Sequence, residues 1–497
     1  DGKLEKSKEG YKVIGDPTEG ALIVSAEKAG ISHYNFNKDY EREDEVLFDS
    51  IRKRMTTVHT IDKQKYSYVK GAPDVILKLC NDIVIDGVVK KLTDKDRREI
   101  LKMNDKFSGD ALRVLGFAYK KLNTKSKESD YEKDLVFVGL QGMIDPPRTE
   151  VKDSIAKCYT AGIKVVMITG DYLGTAKAIA HDLGIKGKAL TGSDIEKIDL
   201  DKEVDNIGIY ARVNPEHKMR IVNALKKKGH IVAMTGDGVN DAPALKASDI
   251  GISMGITGTD VAKEASDMIL TDDNFTSIVN AVEEGRGIFD NIKKFIQYLL
   301  SSNLGEILVI LSATLMSLPL PLLPTQILWM NLLTDGLPAV ALGVDPTAKN
   351  IMSRKPRKTT EGIITKAFGA KVLYTGVLIA AATVFVFWYS LKIANQSVDH
   401  ARTLAFSTLV LLQFVRIQII RSEYNLGIFS NMKLIYAVLI SIVLQLVVIY
   451  TNFGKTFFGT TFLNGQDWML LISVSVILFL LSMVVNKILP MLNIQGD

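Results

Sequence analysis

Six long apolar segments in the second half of the chain constrain its fold more than any other feature. They are the runs 294–317, 323–343, 369–391, 403–422, 433–451 and 467–489. Each is about 20 residues long, which is enough for a helix to cross a hydrocarbon layer of ~30 Å. Buried helices of a large soluble protein are the alternative, but six such segments in a row with short polar connections argue against it. We therefore predict an all-α, six-helix transmembrane bundle in residues 291–497.

The charges of the connections predict an orientation in the membrane. The connection 344–368 holds six basic residues, whereas 392–402 holds two and 452–466 holds one. Basic residues accumulate in cytoplasmic connections, so the first should be cytoplasmic and the other two external. Residues 1–290 then lie in the cytosol. The shortness of the connection 392–402 favours a multi-pass protein of a bacterial cell membrane.

Residues 1–290 have the charged, mixed composition of a soluble α/β protein. The whole chain has 497 residues and a net charge of +5, which a basic membrane-facing side explains, so we expect no nucleic acid partner. The two cysteines lie far apart and predict no disulfide framework. Short β-like runs such as 66–69 and a helix at 20–29 characterise a first domain, residues 1–136.

Residues 137–290 repeat a strand–loop–helix pattern and form the second predicted domain. The runs 163–168 and 231–234 have the composition of buried parallel strands. The tripeptide Thr-Gly-Asp follows each of them, at 169–171 and 235–237. The carboxyl ends of parallel strands are where ligands and catalytic groups gather in open α/β sheets. A single such tripeptide would more often be a turn than a site, so other residues must support the functional interpretation.

Further polar residues of the second domain supply that support. Asp241 lies four residues after Asp237, and Lys218 begins a helix-like segment after a proline. A hydroxyl, an ammonium and a pair of carboxylates are the groups needed to hold a phosphoryl group and Mg²⁺. The chain has no Gly-x-x-x-x-Gly-Lys-Ser/Thr sequence and is therefore not a P-loop NTPase.

Two carboxylates lie inside the first two apolar segments. Glu306 shares a helix face with Asn303, and Asp335 shares one with Asn331 and Thr334. A glycine and a proline follow Asp335, so the second helix should be unwound there. These polar side chains could have a purely structural role as contacts between helices. Ionisable groups in a bilayer are costly, however, and are usually functional. An oxygen-only set of ligands suits Ca²⁺ and lacks the soft ligands of Cu⁺ or Zn²⁺.

The chain resembles the P-type ATPases over almost all of its length. The run 234–246 is similar to the hinge motif of that family, and 301–306 and 328–339 are similar to the fifth and sixth membrane helices of endoplasmic-reticulum-type calcium pumps. The resemblance implies a nucleotide-binding domain and a haloacid-dehalogenase-like, doubly wound phosphorylation domain, joined to the transmembrane bundle. It also implies a hinge at 145–148, where two prolines stand together.

The resemblance assigns roles to three groups of residues. The implied catalytic residues are Thr169, Gly170, Asp171, Lys218, Asp237, Asn240 and Asp241. The implied ATP-binding residues are Glu19, Phe48, Lys53, Lys70, Gly71, Arg113 and Arg212. The implied ligands of the transported cation are Asn303, Glu306, Asn331, Thr334 and Asp335. In this assignment Thr169 and Lys218 contact the phosphoryl group, Asp237 binds Mg²⁺, Asp241 supports the site and the ring of Phe48 stacks on adenine.

The family's phosphate acceptor is absent from residues 1–497, which contain no Asp-Lys-Thr-Gly-Thr sequence. The chain is a fragment, or the nucleophile lies on another polypeptide, or the protein is inactive. We expect the first: the C-terminal portion of a pump that exports Ca²⁺ from the cytosol with ATP and Mg²⁺, inactive alone. Its missing partner would hold the actuator domain, four membrane helices and the phosphorylated Asp. The alternatives are a pump for Mn²⁺ or another divalent cation, and a non-catalytic, membrane-anchored nucleotide-binding protein.

One position departs from the two-site calcium pumps. Gln413 stands in the fourth apolar segment where those pumps have a glutamate. This difference predicts an incomplete second calcium site. Arg416, one helical turn further on, is a candidate internal cation.

Overall fold

A computed structural model describes residues 3–7, 10–31, 40–49, 52–109, 112–123, 126–144, 147–358 and 361–488. Residues 145 and 146 of the predicted hinge lie outside this part. The chain divides into two compact units. The first comprises Asp1–Ala156 with Lys164–Asp273, and the second comprises Lys157–Ile163 with Asn274–Asp497.

A mixed seven-stranded sheet organises the first part of the first unit. Its strands are β3 (Arg42–Asp49), β4 (Arg54–Ile61), β5 (Gln64–Gly71), β6 (Cys80–Ile85), β7 (Val88–Lys91), β8 (Arg113–Lys121) and β9 (Leu135–Met143). They lie in the order β3-β4-β5-β8-β9-β6-β7, and only β6 and β9 pair in parallel. A hairpin, β1 (Lys3–Ser7) and β2 (Gly10–Ile14), and the helices α1 (Pro17–Lys28), α2 (Pro73–Leu79) and α3 (Asp94–Gly109) accompany it. The domain boundary predicted after residue 136 falls inside β9.

Alternation along β5 separates a core face from an outer face of this sheet. Ser67 and Val69 are buried, whereas Tyr68 and Lys70 point to the opposite side. The buried face packs on α2 through Ile76, which is fully buried in the same apolar cluster as Val69. Lys70, one of the predicted nucleotide residues, therefore lies on the outer face.

Two three-stranded parallel sheets form the rest of the first unit. One contains β10 (Met167–Ile168), β11 (Lys188–Thr191) and β12 (Ile207–Ala211), and the other contains β13 (Ala233–Gly236), β14 (Ile250–Met254) and β15 (Met268–Leu270). The accompanying helices are α4 (Thr149–Thr160), α5 (Leu173–Leu183), α6 (Gly192–Ile195), α7 (Leu200–Glu203), α8 (Pro215–Lys227), α9 (Ala242–Ala247) and α10 (Asp260–Ala265). Among the described residues these strands form two sheets and not one continuous sheet, but a single apolar core joins them through α8.

The two predicted strands of this region are parallel, yet their bounds differ from the prediction. Strand β10 is reduced to Met167–Ile168, and β13 runs two residues beyond the predicted end to Gly236. Strand β10 is half-buried and β13 alternates between exposed and buried residues, so neither is buried throughout. The reason is that an apolar run indicates burial, whereas strand limits depend on which residues find a neighbouring strand to pair with.

The second unit is helical. Its helices are α11 (Phe275–Leu315), α12 (Pro324–Trp329), α13 (Gly336–Leu342), α14 (Lys366–Lys392), α15 (Val398–Glu423), α16 (Met432–Tyr450), α17 (Asn452–Phe458) and α18 (Gly465–Ile488). Within the described residues five helices, α11, α14, α15, α16 and α18, are long and apolar enough to cross a membrane. They account for five of the six predicted segments. The chain thus has the helices of a multi-pass membrane protein.

The remaining predicted segment, 323–343, is interrupted. One turn of π-helix, Met330–Thr334, separates α12 from α13. The break lies one turn before the position expected from the glycine and proline. Helix α11 differs in another way: it begins at Phe275, well before the predicted residue 294, with Asn274 accepting a 2.9 Å hydrogen bond from the N–H of Thr276. Hydropathy could not locate this start because the first turns of α11 are polar.

Helices α11 and α14 approach closely next to a predicted cation ligand. A Cβ atom at Gly305 would lie 2.9 Å from Cγ2 of Ile379, and one at Gly376 would lie 2.9 Å from Cδ2 of Leu304. Small residues permit this kind of close helix crossing in membranes. The crossing fixes the position of Glu306, the residue that follows Gly305.

Candidate functional site

Thr169 and Asp171 form a hydrogen-bonded turn at the carboxyl end of β10. The hydroxyl of Thr169 donates to Oδ2 of Asp171 at 2.9 Å, and the N–H of Asp171 donates to Oγ1 of Thr169 at 3.1 Å. Backbone bonds join this turn to the end of β12, because the N–H of Arg212 donates to the carbonyl of Asp171 and that of Val213 to the carbonyl of Thr169. Gly170 and Asp171 are exposed. The turn thus offers a hydroxyl and a carboxylate at the surface.

Lys218 connects the ends of the two parallel sheets. It lies in the first turn of α8, and its ammonium donates to Oδ1 of Asp241. The other carboxylate oxygen of Asp241 accepts the backbone N–H groups of Asp237 and Gly238, both at 3.2 Å. Burial alone would raise the pKa of Asp241, but the hydrogen bonds from Lys218 and the two N–H groups outweigh burial and lower it. Asp241 is therefore a fixed anion that holds Lys218 in place.

The remaining residues of this group lie at the surface. Asp237 and Asn240 are exposed, and Asp237 belongs to the loop that follows β13. The guanidinium of Arg212 lies over the ring of Tyr172, 4.9 Å from its centroid. The sequence grouped Arg212 with the nucleotide residues, but its backbone bond to Asp171 attaches it to the turn at the end of β10. An exposed carboxylate, a hydroxyl and a held ammonium are a set that could bind a phosphoryl group and Mg²⁺.

Glu19 and Lys70 form an ion pair above the seven-stranded sheet. The ammonium of Lys70 lies 2.8 Å from Oε1 of Glu19. This hydrogen bond is the main cause that lowers the pKa of Glu19. Arg113 reaches the same turn, with its guanidinium 3.1 Å from the hydroxyl of Thr18. The structure therefore brings together three positions that are 19, 70 and 113 in the sequence.

Gly71 is required by the close approach of β4. A Cβ atom at Gly71 would lie 2.5 Å from the carbonyl oxygen of Lys53 and 2.7 Å from Cβ of Arg54. Lys53 itself has a positive φ of 53°. Phe48 lies in the irregular part of β3 that faces the start of β4, and its side chain is 62% exposed. Strand pairing thus places Phe48, Lys53 and Gly71 at the same end of the sheet.

Glu132 was not identified from the sequence, although it organises this end of the sheet. Its carboxylate accepts hydrogen bonds from Arg52 at 3.1 Å, Arg54 at 2.7 Å and the hydroxyl of Thr56 at 2.8 Å. The cluster of basic residues at 52–54 was a signal that a carboxylate partner exists. Its identity was not accessible, because the partner lies 80 residues from Arg52.

The membrane-embedded group surrounds the break between α12 and α13. The amide of Asn331 donates to Oε2 of Glu306 at 3.4 Å, and Thr334 donates to Oε1 of Gln413 at 3.4 Å. Glu306 is 5% exposed and Asp335 is fully buried. One oxygen of each carboxylate, Oε1 and Oδ2, has no hydrogen-bond partner among the described residues. Buried carboxylate oxygens without a partner are costly, so this arrangement fits a bound cation.

Two details complete the description of this group. Asn303 is exposed on α11, whereas a hydrogen bond joins Asn331 to Glu306. Tyr298, which the sequence did not single out, donates to Oδ1 of Asp335 at 2.9 Å. In the described part of the chain no group of three or more His, Cys, Asp or Glu residues could hold a metal. A cation here would therefore depend on two carboxylates together with amide and hydroxyl oxygens, as hard cations accept.

Comparisons with known proteins agree with these observations. A family model for "P-type ATPase, cytoplasmic domain N" matches residues 1–150, and one for "Cation transporting ATPase, C-terminus" matches residues 319–488. The chain is 47% identical over 486 residues to a calcium-transporting ATPase of Bacillus subtilis (strain 168), covering 95% of the chain and 55% of that protein. It is 38% identical over 490 residues to the human calcium-transporting ATPase type 2C member 1, covering 96% and 52%. The chain spans about half the length of the curated relatives it matches.

Proposed function

The chain belongs to the P-type ATPase family, and we propose that it is the C-terminal portion of a pump that exports Ca²⁺ from the cytosol with energy from ATP. The observation that carries this proposal is the pair Glu306 and Asp335. Both carboxylates are buried, Glu306 on α11 and Asp335 between the π-turn and α13, and each has an oxygen without a partner among the described residues. Oxygen ligands suit Ca²⁺. The names of the relatives, which are calcium-transporting ATPases, support the same cargo.

The phosphotransfer step of the proposed reaction uses the ends of the two parallel sheets. The γ-phosphoryl group of ATP would be transferred to an aspartate outside residues 1–497, with cleavage of the bond between the γ-phosphorus and the bridging oxygen, forming an aspartyl-phosphate and releasing ADP. Thr169 and Lys218 would bind the transferred group, with Asp241 holding Lys218 in place, and Gly170, Asp171 and Asn240 would shape the surrounding loops. Asp237 would hold Mg²⁺, which when bound offsets the negative charge of the transition state.

The nucleotide would bind at the end of the seven-stranded sheet. Phe48 supplies an exposed face for adenine, and Lys53 and Lys70 would face the nucleotide and supply positive charge. Glu19 would lie beside the base, Gly71 allows the close approach of β4, and Arg113 would reach phosphate oxygens. Arg212, the other predicted nucleotide residue, lies outside this sheet and is bonded to the turn that follows β10. In this proposal residues 1–136 are the nucleotide-binding domain and 137–290 are a haloacid-dehalogenase-like, doubly wound phosphorylation domain.

This portion of the proposed pump would have six membrane helices. The interrupted segment 323–343 would form one of these helices, and the five long helices of the described residues would form the others. The basic residues of the connection 344–368 would place this connection and residues 1–290 on the cytoplasmic side. The membrane itself would be the cell membrane. The partner of this portion would be an N-terminal part with an actuator domain, four membrane helices and the phosphorylated aspartate.

A transport assay on the complete pump tests the proposal. Reconstituted in vesicles, the wild-type protein should take up Ca²⁺ in an ATP-dependent way, and Asp335→Asn should abolish this uptake. Asp399→Asn is a matched control, because the side chain of Asp399 is 61% exposed in a surface ion pair. ATP-driven uptake of Mn²⁺ without Ca²⁺ would favour the other divalent cation pump. Nucleotide binding without any cation uptake would favour the non-catalytic protein.

The same assay addresses the number of ions. Gln413 accepts a hydrogen bond from Thr334 and offers an amide oxygen where the two-site calcium pumps have a glutamate carboxylate. We propose one Ca²⁺ per ATP. A ratio of two would contradict the incomplete second site but not the pump itself.

A further inference from the structure

A buried cluster of charged and amide side chains lies at the far end of α13 from Asp335. The carboxylate of Asp345 accepts hydrogen bonds from the ammonium of Lys294 at 2.8 Å, from Nε of Arg421 at 3.1 Å and from the amide of Asn431 at 3.0 Å. The carbonyl of Asp345 accepts a further bond from Asn291 at 2.7 Å. All five residues are at most 6% exposed. We call them the Asp345 cluster.

The Asp345 cluster and the cation group hold the two ends of the same short helix. Helix α13 begins directly after Asp335 and ends at Leu342, three residues before Asp345. On α11, Lys294 bonds to Asp345, and Tyr298, four residues later on the same face, bonds to Asp335. One face of α11 therefore contacts both ends of α13.

Helix α15 repeats this arrangement, and α16 adds contacts at one end of α13. On α15, Gln413 accepts a hydrogen bond from Thr334, whereas Arg421 bonds to Asp345. At the start of α16, Asn431 accepts the N–H of Leu434 and donates to the carbonyl of Ala341 in the last turn of α13 at 3.0 Å. Three helices thus make polar contacts at the end of α13 that carries no proposed ligand.

Helix α13 needs such contacts because its own backbone does not fix its position. It has seven residues, and one turn of π-helix precedes it. A helix of this length is marginal by itself, and a π-turn interrupts the regular hydrogen-bond ladder of the segment. Charge-assisted hydrogen bonds are stronger than neutral ones. Asp345 is also the only carboxylate that hydrogen-bonds to Lys294 or Arg421 among the described residues.

We propose that Asp345 is a positioning residue for the cation site. Its hydrogen bonds fix the position of α13 relative to α11 and α15. This in turn determines the positions of Asp335 and Thr334. The inference rests on the proposed function, because it takes Asp335 as a ligand of the transported cation. A small displacement of a binding group is enough to weaken a site built from few ligands.

Calcium activation of ATP hydrolysis by the complete pump tests this proposal. Asp345→Asn should raise the Ca²⁺ concentration for half-maximal activity about tenfold, with the maximal rate changed less than about twofold. Asp345→Glu keeps the charge and should restore most of the affinity. Asn431→Ser is a milder variant, since serine still caps α16 but is too short to bond to Asp345. It should raise the half-activating concentration about threefold.

The control variant is Asp290→Asn. Asp290 is on α11, one turn before Lys294, and it pairs with Arg354 at 2.7 Å outside the Asp345 cluster. The half-activating Ca²⁺ concentration of the Asp290→Asn pump should equal that of the wild type. Unchanged calcium affinity in both Asp345→Asn and Asn431→Ser would overturn the proposal. A lower maximal rate of these variants with unchanged calcium affinity would also overturn the proposal, because a purely structural role would produce that result.

A second measurement does not depend on pump activity. Hydrogen–deuterium exchange of the chain itself should be faster at residues 330–342 in Asp345→Asn and Asn431→Ser than in the wild type or Asp290→Asn. Equal exchange in all four proteins would overturn the positioning role even if the wild type is not activated by Ca²⁺. A wild type without calcium activation, but with the expected exchange differences, would refute the proposed function and retain the mechanical role of Asp345.

Discussion

The phenolic hydroxyl of Tyr298 donates a 2.9 Å hydrogen bond to Oδ1 of Asp335, and both side chains are fully buried. The bond engages one carboxylate oxygen, while Oδ2 has no partner among the described residues. Tyr298 therefore orients the carboxylate so that its second oxygen is available to a cation. This contact links α11, which carries Glu306, to the break in the second predicted span.

Removal of the Tyr298 hydroxyl should weaken calcium binding without removing a ligand. Tyr298→Phe deletes one hydrogen bond to a charged group, which contributes on the order of 1 kcal/mol or more. We expect the half-activating Ca²⁺ concentration of the complete pump to rise about fivefold. Tyr436→Phe, at a side chain that is 59% exposed, is the matched control. Equal calcium activation of the two variants would show that Tyr298 does not orient Asp335.

Removal of the Phe48 ring should weaken ATP binding. Stacking of a base on an aromatic ring contributes roughly 1–3 kcal/mol, so Phe48→Ala should raise the dissociation constant of ATP about tenfold. Isothermal titration of the chain with ATP measures this change. Leu47→Ala removes a neighbouring side chain that is 65% exposed and should bind ATP like the wild type. An unchanged affinity of Phe48→Ala would refute the assignment of the adenine site.

A methyl group at Gly71 should destabilise the nucleotide end of the sheet. The added Cβ would lie 2.5 Å from the carbonyl oxygen of Lys53, and overpacking of this kind costs typically about 1–3 kcal/mol. Thermal unfolding of Gly71→Ala should begin several degrees earlier, with weaker ATP binding. Gly139→Ala is the control, because Gly139 lies on β9 of the same sheet and a Cβ atom added to it meets nothing within 4 Å. Equal unfolding temperatures of Gly71→Ala and Gly139→Ala would show that the backbone at Lys53 does not exclude a side chain at position 71.

The ion pair of Glu19 and Lys70 predicts a pH dependence of stability. The hydrogen bond from Lys70 lowers the pKa of Glu19 below its ordinary value of 4.5. A lowered folded-state pKa stabilises the fold fully above the unfolded pKa and loses that effect as the pH falls. The difference in melting temperature between wild type and Glu19→Gln should therefore be constant from pH 7 to about 5 and shrink below pH ~4.5. Glu99→Gln, which also removes a carboxylate at an exposed position, is the control and should melt like the wild type at pH 7. A difference in melting temperature between wild type and Glu19→Gln that grows as the pH falls would contradict the ion pair of Glu19 and Lys70.

Local sequence was sufficient to locate five of the six predicted apolar segments in long helices, but it did not group all of the site residues. The predicted span 369–391 lies within α14, Lys366–Lys392, and 403–422 lies within α15, Val398–Glu423. Hydropathy and helix length are properties of consecutive residues, so they can be read without knowledge of the rest of the fold. The same holds for Asp237 and Asp241, whose four-residue spacing already places them in one loop.

The tertiary structure alone decided which distant polar groups meet. Tyr298 and Asp335 are separated by 37 residues, Lys294 and Asp345 by 51, and Arg52 and Glu132 by 80. No local pattern identifies these partners, because each contact depends on where two helices cross or where two strands pair. The sequence therefore determined which segments are apolar enough to cross a membrane and which residue types could bind a cation. Helix crossing determined which oxygens are held by hydrogen bonds and which have no partner among the described residues.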